Sequence, residues 1–333
     1  MGRLSRAEQQ ERNRERVLSA ALEEFARLGY REAKIDAIAE RAELTRGAVY
    51  SNFPGKRALY FAVLADLAER VPDPPSPPPD ATVRDALGAV ARARLAGTPV
   101  LAPERLRADL IPEVLADERT RLPFAQLLRL EAILLGLTLE NLPPRAPRRV
   151  RLAETLLATL HGAVQLTAAP GFIEPFDIVS ACEQMAGFVL TDQLDPPVWA
   201  EFAPKALPAD QPTAHEDGIV AVLGLHRLEA VEDAFRAAPR GTEVTVLIVT
   251  GDPGELGQLA RLHLAELRTT LLTAAHPKAF PPVRLILDPE GRRATELGAT
   301  AVSDATEIAA RVHHGRIVSI AEGRGAVWAV AAG

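Results

Sequence analysis

From Thr45 to Arg57 the chain reads TRGAVYSNFPGKR, with three cations (Arg46, Lys56 and Arg57) and no acidic residue. Cations set among small and hydroxylic side chains suit phosphate oxygens, and a guanidinium also pairs with the N7 and O6 edge of guanine. Thr45, Arg46, Gly47 and Ala48 suit the first turn of a helix entering a major groove, and Gly47 has no side chain to hold that helix away. Arg46 either reads a guanine, worth about 1–3 kcal/mol of discrimination, or contacts a phosphate. Lys34 stands where a preceding helix begins. Other reactive groups are sparse. Cys182 is the single cysteine, which excludes an intrachain disulfide, a CxxC pair and a four-cysteine metal site. It lies on an apolar face and reads as a small hydrophobe rather than a redox sensor. His313 and His314 precede Gly315, but adjacent strand side chains point to opposite faces, so they read as a solvated turn rather than a metal site. No metal and no cofactor are expected.

The elements behind these residues follow from the apolar spacing. Val17, Ala21, Phe25 and Leu28 form one helical stripe that stops at Gly29. Ile35, Ile38 and Ala39 begin a short helix, and Thr45 caps a third that carries Ala48, Val49 and Tyr50. Two short helices joined so tightly behind a longer one make a helix-turn-helix arrangement. A fourth helix runs from Lys56 through Leu59, Phe61, Val63 and Leu67. The chain has 333 residues and net charge −6, yet residues 1–60 hold 12 Lys+Arg against 9 Asp+Glu, so the positive charge sits at the amino end. With no apolar run of about 18 residues and a polar start from Met1 to Asn13, a cytoplasmic protein without a membrane segment is expected.

The stretches AALEEFARLGY (Ala20 to Tyr30) and IDAIAERAELTRGAVYSNFPGKRALY (Ile35 to Tyr60), with Gly47-Ala48-Val49-Tyr50 followed by Phe53 and Lys56, resemble the DNA-binding domain of TetR-family transcriptional regulators. The resemblance covers about 45 residues. It implies backbone contacts from Tyr50 and Lys56, so the expected DNA-contacting set is Lys34, Thr45, Arg46, Gly47, Ala48, Tyr50, Ser51, Asn52 and Lys56. Two departures stand out. Lys34 replaces the usual Ser or Thr cap of the second helix, and Glu43 occupies the turn position where glycine is usual, forcing φ > 0 on a non-glycine residue.

The resemblance also implies an all-helical domain behind the DNA reader, one that dimerises and holds a small-molecule effector. Residues 81–195 carry that helical pattern, beyond the proline-rich connection Val71 to Asp80. Leu106, Leu110, Phe124, Leu128, Leu134, His161, Gln165 and Phe172 are candidates to line a pocket, with core packing as the alternative. Leu152, Leu156, Leu160 and Val164, with Met185 and Val189, are candidates for a homodimer interface or equally for intramolecular core. The family reading is thus a homodimer on a palindromic double-stranded DNA operator, a repressor more than an activator, released when the effector fixes a reader spacing unsuited to grooves ~34 Å apart.

Proline-rich residues 196–218 read as a domain boundary. Beyond them, apolar β-branched runs at Ile219 to Leu223, Val244 to Val249, Val283 to Leu287 and Arg316 to Ile320 alternate with helical stretches, which predicts an α/β domain over 216–333 with a mixed sheet. The order, with VRLILDPEGRRATELGA and RVHHGRIVSI, looks thioredoxin-like. That chemistry needs a cysteine at a helix start, and the place read for it, Gly251 to Glu255, has none, while Ser303 stands in the place read for the cis-proline. The whole is a multidomain chain, comprising an all-α helix-turn-helix domain (1–70), a helical ligand and dimerisation domain (81–195) and an α/β thioredoxin-like domain without its catalyst. It is read as no enzyme. The alternatives are a DNA-targeted redox sensor or enzyme active in the last domain, and an architectural regulator recruiting a protein partner.

Overall fold

A computed structural model describes residues 5–96, 104–146, 148–166, 171–188, 190 and 202–333. In chain order the helices are α1 (Arg6–Glu32), α2 (Ile35–Arg41), α3 (Arg46–Tyr50), α4 (Lys56–Glu69), α5 (Val83–Leu95), α6 (Glu104–Ala108), α7 (Leu110–Ala116), α8 (Glu118–Glu140), α9 (Val150–Leu166), α10 (Pro175–Gln184), α11 (Ala230–Ala237), α12 (Leu256–Ala274), α13 (Arg292–Glu296) and α14 (Ala326–Ala332). The strands are β1 (Leu207–Pro212), β2 (Gly218–Gly224), β3 (Val244–Val249), β4 (Val283–Leu287), β5 (Glu307–His313) and β6 (Arg316–Glu322). They form two compact units. The first joins Met1–Pro72, Gly97–Arg121 and Asp252–Glu266, and the second joins Asp73–Ala96, Leu122–Gly251 and Leu267–Gly333.

In the first unit α1 starts on a capping box, Ser5 with Glu8, and buries Val17, Ala21 and Phe25. Gly29 interrupts it at φ +79, and the Asp109 carboxylate accepts the Tyr30 N–H released there at 2.9 Å. Tyr30, Phe25 and Tyr60 pack ring against ring, with Tyr60 held by a hydrogen bond to the Leu106 carbonyl. α4 is buried along most of its length, so the short helices have a firm base. The proline-rich stretch from Val71 has no regular structure and is mostly exposed, as expected of a stiff connection.

The second unit contains a helical core and a six-stranded mixed sheet. Leu87, Val90, Leu135, Leu139, Leu152, Leu156, Leu160, Cys182 and Met185 pack together between α5, α8, α9 and α10. α8 is by length and composition apolar enough to cross a membrane, though interrupted by Arg129 and Glu131, and 78% of its apolar window is buried, which marks a core helix. The sheet order is β1-β6-β5-β2-β3-β4, with β2, β3 and β4 parallel and β5 antiparallel to both β2 and β6. A mixed sheet with helices agrees with the sequence reading. The region of residues 207–212, read as part of a boundary, is instead the edge strand β1. Pro208 and Pro212 are tolerated there because an edge strand has one unpaired side, and the register slips between Pro208 and Gln211. Partly buried ion pairs tie the sheet's α11 to the helices: Arg148 grips Glu232 at 2.7 Å, and Arg236 grips Glu140 at 2.7 and 2.8 Å.

Candidate nucleic-acid interface

The turn between α2 and α3 is built around Glu43, whose φ of +51 realises the strained position expected from the sequence. Arg16 pairs with its carboxylate at 2.8 Å, and the Leu44 N–H returns to the Ala39 carbonyl at 2.9 Å. Thr45 then caps α3, its hydroxyl accepting the Ala48 N–H at 3.2 Å. Lys34 begins α2 without a side-chain cap hydrogen bond and is exposed. Val49 and Phe53 are buried and clamp α3 to the bundle. The outward face is consequently Thr45, Arg46, Gly47, Tyr50 and Ser51, with Ala48 half-buried at its edge. A Cβ added at Gly47 meets only the Thr45 hydroxyl, at 3.8 Å. Nothing inside the protein requires glycine there.

Arg46 lies 3.3 Å from Asp36 and stacks its guanidinium over Tyr50 at 5.5 Å. Asp36 is a partner the sequence reading missed, because it comes from α2 and meets α3 only once the turn is folded. Both members of the pair are exposed, so the pairing is weak and screened by salt. Ser51 and Asn52 donate to the Ala48 carbonyl at 2.9 and 2.8 Å and finish the helix. Lys56 points elsewhere. Its ammonium donates to the Arg31 carbonyl at 2.9 Å and sits over the Tyr30 ring at 4.6 Å, and burial lowers its pKa.

Residues 17–63 match the family described as "Bacterial regulatory proteins, tetR family". These residues form a TetR-type helix-turn-helix domain. Over 65 residues the chain is 48% identical to the HTH-type transcriptional regulator SrpR of Pseudomonas putida, covering 20% of this chain and 30% of that protein. The same identity and length relate it to the uncharacterized HTH-type transcriptional regulator TtgW, also of Pseudomonas putida, covering 20% and 48%. The chain therefore spans less than half the length of either curated relative. Among solved structures it resembles a TetR transcriptional regulator from Rhodococcus sp. RHA1, at 18% identity and TM-score 0.37 over 54% of this chain and 95% of that one. It also resembles the transcriptional regulator FadR from Bacillus subtilis in complex with stearoyl-CoA, at 15% identity and TM-score 0.33 over 52% and 97%.

Within the same unit, Arg57 at the start of α4 binds two carboxylates: Asp117 at 2.6 Å and Glu255 through Nε at 2.9 Å. Desolvation pulls the guanidinium pKa down, and the hydrogen bonds to Glu255 and Asp117 raise it above the usual value. Glu255 belongs to the Asp252–Glu266 stretch of the same unit, where Asp252 accepts the Glu255 N–H and Arg261 pairs with Glu69. A Cβ at Gly254 comes within 2.8 Å of Pro54, so this stretch lies directly against the loop before α4. The sequence reading assigned Gly251 to Glu255 the place of a missing catalytic cysteine, and four of its residues, Asp252 to Glu255, form part of the unit that holds α1 to α4.

The remaining candidates are scattered. Leu106 and Leu110 are buried in the first unit, whereas Phe124 and Leu134 are buried in the second, where Leu128 and His161 are half-buried and Gln165 and Phe172 exposed. His161 Nδ1 lies 2.8 Å from the Leu157 carbonyl of its own helix. Of the interface candidates, Leu152, Leu156, Leu160 and Met185 are buried in the helical core of the second unit. Val164 is exposed, and Val189 lies outside the described residues. Cys182 is buried and burial raises its thiol pKa, which suppresses the reactive thiolate. Ser303 sits in a loop across the carboxyl end of β2, where a Cβ on Gly224 meets its carbonyl.

Proposed function

We propose that the chain is a ligand-responsive DNA-binding transcriptional regulator, a repressor that binds a palindromic operator as a homodimer and is not an enzyme. The observation that carries this reading is the outward face of α3, clamped from behind by Val49 and Phe53 and bearing a glycine that internal packing does not need. A groove-reading helix requires such a face, because close backbone approach is what lets short side chains touch base edges. Arg46 exchanges its exposed partner Asp36 for a guanine edge or a phosphate. Lys34, Thr45 and Tyr50 supply flanking contacts, with Lys56 holding the end of α1 in place rather than reaching out.

Dimerisation is supported by Val164, Leu166, Phe172 and Phe176, large apolar side chains left exposed at the end of α9 and the start of α10. A second copy covering that surface also doubles the number of base pairs read, which one five-residue helix leaves short. A small molecule held among the helices of residues 81–195 would set the spacing of the two readers. The α/β part over 216–333 would be a thioredoxin-like module without its catalyst, serving interaction, dimer stabilisation or a second ligand. Selection of bound fragments from random duplex DNA tests the reading. The expected product is an inverted repeat with half-sites one helical turn apart or a multiple of it; enrichment of no sequence overturns it.

A further inference from the structure

The β5–β6 hairpin closes through two residues, His314 and Gly315, both with positive φ, +51 and +68. This is a type I′ turn, and a histidine in its first central position is unusual but tolerated. Asp217 stabilises it. One carboxylate oxygen accepts the His314 N–H at 2.9 Å and the other the Gly315 N–H at 3.2 Å. Asp217 is itself positioned by Gly218, whose φ of +133 admits no other residue readily and whose Cβ position is blocked by the Glu243 carbonyl at 2.3 Å. The Thr213 N–H fastens the turn from the other side, donating to the Gly315 carbonyl at 3.0 Å.

The turn overturns the strand-alternation argument. His314 has left the strand, so its ring swings beside His313, with centroids 3.9 Å apart, instead of to the opposite face. His313 Nδ1 lies 3.7 Å from an Asp217 oxygen. One ligand atom from each of Asp217, His313 and His314 falls within 4.8 Å of the others. The neighbouring charges are engaged elsewhere: Glu216 with Arg284 at 2.8 Å and Asp210 with Arg316 at 2.5 Å.

We propose that Asp217, His313 and His314 form a surface site for a divalent transition-metal ion of the Zn2+, Ni2+ or Cu2+ type. Two imidazoles and one carboxylate favour such borderline ions over Mg2+ and Ca2+, which prefer all-oxygen shells. The positions around the ion not taken by protein face solvent and are filled by water. The hydrogen bonds from the turn to Asp217 hold its carboxylate in a fixed orientation, the role that outer partners play at metal sites. The site uses residues that the DNA-binding reading leaves without a task, and it stands or falls independently of it.

The test is metal titration of the full chain with Zn2+ competing against a chromophoric chelator, repeated with Ni2+ by calorimetry. His314→Gly preserves the positive-φ turn while deleting one ligand, and His313→Ala deletes another. The expected result is one ion per chain. Each single substitution should weaken affinity about tenfold or more, and the double variant should abolish that site. Circular dichroism of the variants should match the wild type. Equal affinity and stoichiometry in the wild type and the double variant, or no binding to the wild type, would overturn the assignment.

Discussion

Gly47 separates the demands of folding from those of recognition. Its added Cβ meets open space on the protein side, and its backbone is helical, so alanine is compatible with the fold and favoured by helix propensity by up to about 1 kcal/mol. Gly47→Ala is expected to leave thermal stability unchanged or slightly raised while weakening DNA binding, because the new methyl stands between the helix and the groove floor. Paired melting and binding measurements check both halves. Glu43 is the converse case. At φ +51 it carries strain that its exposed pairing with Arg16 offsets only slightly, so Glu43→Gly should stabilise the domain by about 0.5–1 kcal/mol in chemical denaturation. Gly47 stood out in the sequence as a residue with no side chain on a short helix, and Glu43 through the family resemblance, which usually has glycine at that turn position. The sequence did not identify Asp36 opposite Arg46 or the inward turn of Lys56, since the first contact depends on how α2 meets α3 and the second on how α4 packs on α1.

Arg57 ties the start of α4 to the residue just before α12. Arg57 satisfies two carboxylates from distant parts of the chain, and both partners lose their counter-charge if it is removed. Arg57→Ala should therefore destabilise the first unit by about 2–3 kcal/mol, discounted from fully buried pairs because the site is partly exposed. The loss is expected to appear in DNA affinity as well as in the melting temperature. The α11 helix offers a pH test. Burial, with Glu307, Glu232 and Glu229 nearby, pushes the Asp233 carboxyl up to about 7. An acid whose folded pKa is raised stabilises fully below its unfolded value near 3.9 and loses that contribution as pH rises through about 7. Asp233→Asn should match the wild type near pH 4 and exceed it by about 1–3 kcal/mol near pH 8. Equal pH profiles for the two proteins would contradict the burial argument. At this scale the strands β3 and β4 were legible residue for residue, as dense β-branched runs have few other uses. β1 was not legible, since a sequence of LPADQP pairs only because an edge strand forgives missing donors.

At the scale of the whole molecule, the limit of the sequence is what covers an apolar face. The stripe of Leu152, Leu156 and Leu160 has the same spacing whether a neighbouring helix or a second chain lies against it, and the fold assigns it to the neighbours. What remains exposed, Phe172 and Phe176 with Val164 and Leu166, is displaced toward the end of that region. Likewise, no local pattern in Asp252 to Glu266 announces that this stretch belongs with residues 1–72, because that membership rests on pairings nearly two hundred positions apart. These arrangements serve the α3 face if the protein reads DNA as a pair. The most direct measurement is equilibrium binding of the full chain to its selected duplex, by fluorescence anisotropy at fixed salt, for the wild type, Arg46→Ala and Tyr50→Ala. The account predicts two chains per duplex, with losses of about tenfold or more for Arg46→Ala and a smaller, sequence-independent loss for Tyr50→Ala. Unchanged affinity in both variants, with their folds intact, would contradict it.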